Sequence, residues 1–90
     1  FIDVDYDGDK ESDIPKTLEI ELSNRGVVYY KIETQGGFHY LLKKDTLKFN
    51  YHALLEQLQP TEGELTVSNN EAIPIPGCYQ YGSFKVKLVN

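Results

Sequence analysis

Apolar and acidic residues alternate over the first six positions of the chain, from Phe1 to Tyr6. Alternation with a period of two is typical of a β-strand that buries one face. Residues two positions apart on a strand point to the same side, so Asp3 and Asp5 share the other face. The chain is therefore predicted to open on a strand that carries two carboxylates together.

The stretch that follows, residues 16–24, is open to two interpretations. Apolar residues recur every four positions from Ile14 to Leu22, which favours a helix. The residues from Leu18 to Leu22 also alternate, which favours a strand. The abundance of Lys, Leu and Glu, together with Gly26 at the expected C-terminal cap, leads us to predict the helix.

The rest of the chain is predicted to contain a strand hairpin, a second helix and two further strands. These are Val27 to Glu33, Phe38 to Lys43, Phe49 to Leu58, Gly63 to Ser68 and Phe84 to Leu88. The second helix is expected to start after Asp45 or Thr46 and to end before Pro60. The order β-α-β-β-α-β plus a closing strand indicates an α+β fold of the ferredoxin-like or RRM-like kind, with two helices on one face of an antiparallel sheet. Ninety residues suffice for one domain, residues 1–90.

Composition limits the function classes. A net charge of −5 argues against a basic surface for nucleic acid, although acidic residues that hold metal ions can still meet phosphates. The single cysteine, Cys78, excludes an internal disulfide and fits a reducing, cytoplasmic compartment. No apolar run approaches the roughly 18 residues that span a membrane. The chain has no Met, so we expect a fragment of a longer protein with other domains.

The carboxylates of Asp3 and Asp5 are the first candidates for chemistry. Side chains at i and i+2 on a strand lie roughly 7 Å apart at Cα, close enough to share one or two divalent cations. The alternative is an acidic strand face in solvent. A calcium-binding EF-hand loop is a poor match, because its twelfth position, which needs a bidentate Glu, falls on Ile14.

A glycine pair before a histidine is the second candidate. Gly36 and Gly37 permit a close backbone approach to a ligand, and His39 is able to donate a hydrogen bond or a charge to a phosphate. The alternative is an ordinary hairpin turn with a surface histidine. His52 has no comparable setting, and Cys78 has no base beside it in the sequence.

A third candidate is Glu71 with the segment Ile73 to Gly77, whose two prolines hold an extended backbone. Rigid loops of this type often form the wall of a binding site, but they also simply cross a surface.

Taken in order, these segments resemble the catalytic core of the archaeo-eukaryotic primase superfamily, in particular the primase-polymerases of plasmids, phages and mobile elements. The segments that carry the resemblance are Phe1-Ile2-Asp3-Val4-Asp5, Glu33-Thr34-Gln35-Gly36-Gly37-Phe38-His39-Tyr40, Glu71 and Ile75-Pro76-Gly77-Cys78. The resemblance implies Mg²⁺ or Mn²⁺ bound by Asp3, Asp5 and Glu71. It also implies a nucleotide site at Gly36, Gly37 and His39, and a catalytic role for Asp3, Asp5 and His39.

The function that follows from the resemblance is metal-dependent nucleotidyl transfer in DNA replication. Its partners would be a nucleoside triphosphate and a nucleic-acid template, with no membrane. The alternative is a non-catalytic module on the same fold that binds nucleic acid or protein. In that case exposed aromatic residues of the sheet are expected to stack on bases, namely Tyr29, Tyr30, Phe38 and Tyr40.

Overall fold

The computed structural model describes residues 1–60, 62–68, 79–80, 84–85 and 87–89. The elements in chain order are β1 (Ile2–Asp7), α1 (Asp13–Asn24), β2 (Tyr29–Glu33), β3 (Gly37–Leu42), a 3₁₀ turn (Lys44–Thr46), α2 (Tyr51–Gln57), β4 (Glu64–Ser68), β5 (Tyr79–Gln80), β6 (Phe84–Lys85) and β7 (Lys87–Leu88). Neither α-helix within these ranges has the length and apolar character needed to cross a membrane.

Five strands form one antiparallel sheet in the order β4-β1-β3-β2-β7, and β5 pairs with β6 in a separate two-stranded sheet. The strands β1 and β2 both run antiparallel to β3, which lies between them, so they are parallel to each other. This arrangement is the split βαβ unit of the ferredoxin-like fold. The predicted α+β class and the predicted hairpin of β2 and β3 are confirmed.

Both helices cover the same face of this sheet, which we call the helix face. Val4 of β1 and Tyr40 of β3 are fully buried there. Leu18 and Leu22 of α1 and Leu55 of α2 belong to the same apolar cluster as these sheet residues. We call the opposite side, which carries Asp3, Asp5 and His39, the open face.

The helix α1 is defined by caps at both ends. At its start, the Ser12 hydroxyl accepts a hydrogen bond from the Ile14 amide at 3.2 Å. At its end, Gly26 adopts a φ of 72°, and the Val27 amide donates to the Leu22 carbonyl at 3.0 Å. This is the Schellman arrangement, in which glycine takes the left-handed position.

A polar network on the helix face ties α1 to the sheet. Glu19 of α1 accepts a hydrogen bond from the Tyr40 hydroxyl at 2.8 Å and pairs with the Lys31 ammonium at 2.7 Å. The Lys31 ammonium also lies 4.2 Å from the centre of the Phe38 ring. Burial and the neighbouring Glu19 both raise the pKa of Tyr40, so this phenol remains a hydrogen-bond donor.

The second helix starts later than the sequence predicts. The helix α2 begins at Tyr51 rather than Phe49, because the Asn50 side chain accepts a hydrogen bond from the Ala53 amide at 3.2 Å and caps the first turn. Asp45, one of the expected upstream residues, lies instead in the 3₁₀ turn at Lys44–Thr46.

The predicted closing strand, Phe84 to Leu88, is not one strand. Phe84 of β6 pairs with Gln80 of β5, whereas Leu88 of β7 pairs with Ile32 of β2 at the sheet edge. The two ends of the segment therefore belong to different sheets. Alternation of apolar residues shows that a segment is extended, but it does not show which strand the segment pairs with.

Candidate metal centre

The pairing of β1 with β3 brings the acidic pair to the histidine. Asp5 and His39 are direct partners in this pairing, and Asp3 lies two residues along β1 on the same face. Because Val4 points to the helix face, Asp3 and Asp5 must point to the open face. Asp3 and His39 therefore lie on neighbouring strands.

The three side chains converge within a few ångströms. His39 Nδ1 lies 3.2 Å from Asp3 Oδ1 and 3.3 Å from Asp3 Oδ2. The same nitrogen contacts Asp5 Oδ1 as an ion pair. One possible ligand atom from each residue lies within 4.8 Å of the other two, so Asp3, Asp5 and His39 form a group able to hold a metal ion.

The group ranges from fully buried to partly exposed. The side chain of Asp3 is 1% exposed, that of His39 is 15% exposed and that of Asp5 is 30% exposed. Ile32, the partner of His39 on β2, is also buried. Burying a carboxylate costs several kcal/mol unless a counter-charge and hydrogen bonds accompany it, so Asp3 needs a cationic neighbour.

One oxygen of the group remains poorly satisfied. Asp5 Oδ1 is buried and contacts the imidazole of His39, but it forms no hydrogen bond of acceptable geometry within the described part of the chain. A buried carboxylate oxygen without a hydrogen bond costs free energy that a bound cation would recover.

The two carboxylates change the protonation of His39. Burial of the ring alone would lower its pKa, but the hydrogen bond to Asp3 and the charges of Asp5 and Asp3 outweigh burial and raise the pKa to about 9. His39 is therefore an imidazolium at neutral pH and supplies the positive charge that the buried carboxylates require.

The glycine pair shapes the turn beside this group. A Cβ at Gly37 would collide with the carbonyl oxygen of Tyr6 on β1, so only glycine lets the two backbones approach this closely. The Gly36 carbonyl accepts a hydrogen bond from the Gly8 amide at 2.9 Å. The close approach at Gly37 is thus to β1, while the nucleotide-binding role of Gly36 and Gly37 stays a prediction.

Two further acidic residues lie near the group. Asp7 is the last residue of β1, and it pairs with Glu64 of β4. Asp7 lies two residues from Asp5 on β1, so it is on the open face. Glu64 lies two residues from Thr66, the β4 partner of Asp5, so it is on the open face as well. The continued i, i+2 spacing from Asp5 to Asp7 was the available signal for Asp7. The register between β1 and β4, which places Glu64 beside Asp7, was not available from the sequence.

The structure does not describe some of the expected site residues. Glu71 and the segment Ile73 to Gly77, as well as Cys78, lie outside the described residues.

The expectation that four sheet aromatics stack on bases is wrong for Tyr29, Phe38 and Tyr40. Phe38 and Tyr40 are buried on the helix face, where Tyr29 packs edge-on to Tyr40 at 5.9 Å between ring centres. Tyr30 is the member of that set on the open face, at 46% exposure.

The metal group does not line the cavity beside the first turn of α1. That cavity, of about 890 Å³, is lined by Tyr6, Asp9, Ser12, Gln59 and Glu62 among others. The carboxylates and the imidazole instead lie on the open face of the sheet, on β1 and β3.

Comparisons of this chain with protein-family models, with curated proteins and with solved structures found no match.

Proposed function

We propose that this chain is a metal-dependent nucleotidyl-transfer core of the primase-polymerase type, with Asp3, Asp5 and His39 at its centre. The observation that carries the proposal is the direct pairing of Asp5 with His39 on the two central strands of a ferredoxin-like sheet, with Asp3 on the same open face. The resemblance of the chain to primase-polymerases implies an acidic pair and a histidine in this arrangement.

The three residues would contribute differently to such a site. Asp3 is buried and held by His39, so it provides a fixed ligand. Asp5 is partly exposed and has a buried oxygen without a hydrogen bond, so it faces an entering cation. A bound Mg²⁺ or Mn²⁺ supplies charge neutralisation for a triphosphate and lowers the pKa of an attacking hydroxyl. Glu71 remains the proposed third acidic ligand.

The substrates we propose are a nucleoside triphosphate and a nucleic-acid template. The acidic chain, with a net charge of −5, repels phosphates unless a cation intervenes. Binding of a nucleoside triphosphate should therefore depend on the divalent ion rather than on a basic surface.

The test is equilibrium binding of a labelled nucleoside triphosphate with and without Mn²⁺, followed by primer extension. We expect Mn²⁺-dependent binding that Asp5→Asn weakens by about tenfold or more, since one ligand of the cation is lost. Asp45→Asn is the matched control, because Asp45 is 74% exposed in the 3₁₀ turn. Equal binding by Asp5→Asn and wild type, or binding that ignores Mn²⁺, would refute the proposal.

A second candidate function is binding of single-stranded nucleic acid without catalysis. It is favoured by Tyr30, which is exposed on the open face with its ring centre 5.9 Å from that of Phe1. Stacking of one base on an aromatic side chain is worth about 1–3 kcal/mol. Under this alternative, Tyr30→Ala should weaken binding of single strands at least about fivefold, whereas Asp5→Asn should not weaken it.

A further inference from the structure

The position of His39 bears on which cation the proposed centre accepts. The resemblance assigns His39 to a phosphate, but its Nδ1 points at the two carboxylates, 3.2 Å from Asp3 Oδ1. We infer that His39 binds the cation directly through Nδ1, and that the centre selects Mn²⁺, Co²⁺ or Zn²⁺ over Mg²⁺. This inference rests on the proposed metal site and concerns its cofactor.

The distances in the group fit a shared cation. Metal–nitrogen and metal–oxygen bonds to His and Asp are about 2.0–2.2 Å long. Two such ligands at tetrahedral or octahedral angles are therefore about 3.0–3.5 Å from each other. The observed 3.2 Å between His39 Nδ1 and Asp3 Oδ1 lies in this range. A cation could thus be bound without moving either residue along its strand.

The third ligand has room to adjust. Asp5 Oδ1 contacts the same nitrogen, and its side chain is 30% exposed, whereas that of Asp3 is 1% exposed. A small rotation of Asp5 would separate this oxygen from Nδ1 and admit the cation between them. Three protein ligands leave coordination positions open, as in metal sites that also bind a substrate.

The mixed donor set determines the preferred ions. Mg²⁺ prefers an octahedron of oxygens and rarely takes imidazole, whereas imidazole suits the later first-row metals and Zn²⁺. A site with two carboxylates and one imidazole nitrogen should therefore follow the order Zn²⁺ above Co²⁺, Co²⁺ above Mn²⁺, and all three above Mg²⁺. In the metal-free chain both ring nitrogens of His39 carry a proton, so binding of the cation releases the Nδ1 proton to solvent, and Nε2 keeps the other ring proton.

The first measurement uses the wild-type, tag-free protein. Pulsed electron paramagnetic resonance of bound Mn²⁺ should show coupling to a ¹⁴N nucleus of an imidazole. The chain has two histidines, so His52→Asn serves as the control that must retain this coupling. Bound Mn²⁺ without a nitrogen coupling would overturn the inference, and this test does not depend on whether any His39 variant folds.

The second measurement compares metal affinities by calorimetric titration. His39→Asn places an amide oxygen close to the position of Nδ1, so it tests nitrogen against oxygen at nearly constant size. We expect this variant to bind Zn²⁺ and Co²⁺ about tenfold or more weakly, with a change of less than about threefold for Mg²⁺. An unchanged ratio of Zn²⁺ to Mg²⁺ affinity in a folded His39→Asn protein would overturn the inference.

The outcomes separate this inference from the proposed function. A cation that depends on Asp5 but shows no nitrogen ligand and no preference over Mg²⁺ would leave the proposed function standing and refute the role given to His39. No bound cation under any condition would refute both.

Discussion

Raising the pH from 6 to 10 removes the proton that His39 shares with Asp3 and Asp5. The pKa of His39 is about 9 in the folded chain, compared with an ordinary value of 6.5. The folded state therefore binds this proton more tightly than the unfolded state. By linkage, the resulting stability is fully present below a pH of about 6.5 and is lost as the pH rises through about 9.

The size of this effect follows from the same two pKa values. The difference between 6.5 and about 9 corresponds to roughly 3 kcal/mol of unfolding free energy. Because water reaches part of the His39 ring, screening should reduce the measured contribution to about 1–2 kcal/mol.

The contribution of protonated His39 to the unfolding free energy can be measured by urea unfolding of wild type and His39→Asn at several pH values between about 6 and 10. The difference in unfolding free energy between the two proteins should narrow by about 1–2 kcal/mol from pH 6.5 to pH 9.5. Ionisable groups that are common to both proteins cancel in this difference. A constant difference, or an NMR titration midpoint of His39 near 6.5, would refute the ion-pair account.

Further predictions concern the scaffold around the centre. Gly37→Ala should lower the unfolding free energy by about 2–4 kcal/mol, because its Cβ meets the β1 backbone, whereas Gly36→Ala should cost less because its Cβ meets only the end of a side chain. Equal losses in the two variants, measured by urea unfolding, would contradict this. Tyr40→Phe should cost about 1 kcal/mol through loss of the hydrogen bond to Glu19, and Tyr51→Phe on α2 should cost less. Wild-type stability in Tyr40→Phe would show that this bond contributes nothing.

The sequence predicted the fold well where local chemistry decides it. For α1, both a helix and a strand were compatible with the apolar spacing, and the caps distinguish them. Leu18 and Leu22 are buried while Ile20, which shares their alternation, is 59% exposed. The period of four was therefore the meaningful one, and Gly26 at the end of the helix was the decisive signal.

Strand pairing was harder to predict than strand position. The apolar residues from Phe84 to Leu88 alternate, yet β6 and β7 join different sheets. The partner of a strand depends on the tertiary arrangement of distant segments, which local alternation does not encode.

Two predictions for β3 were incompatible with each other. One placed His39 beside the acidic pair, and the other placed Phe38 and Tyr40 on the same face to stack on bases. Residues next to each other on a strand point to opposite faces. A His39 that faces Asp5 therefore sends Phe38 and Tyr40 to the helices, as observed. The direct contact of Nδ1 with the carboxylates could not be predicted, because it depends on the register between β1 and β3.

The most direct test of the metal centre is a titration of Mn²⁺ into the protein, followed by the electron paramagnetic resonance signal of free Mn²⁺. The wild-type chain and Asp45→Asn should each remove Mn²⁺ from solution with the same affinity. In Asp5→Asn this uptake should weaken by about tenfold or more, because the partly exposed ligand is gone. A free Mn²⁺ signal that is unaffected by wild type, or that falls equally with Asp5→Asn, would contradict the assignment of Asp3, Asp5 and His39 as a metal centre.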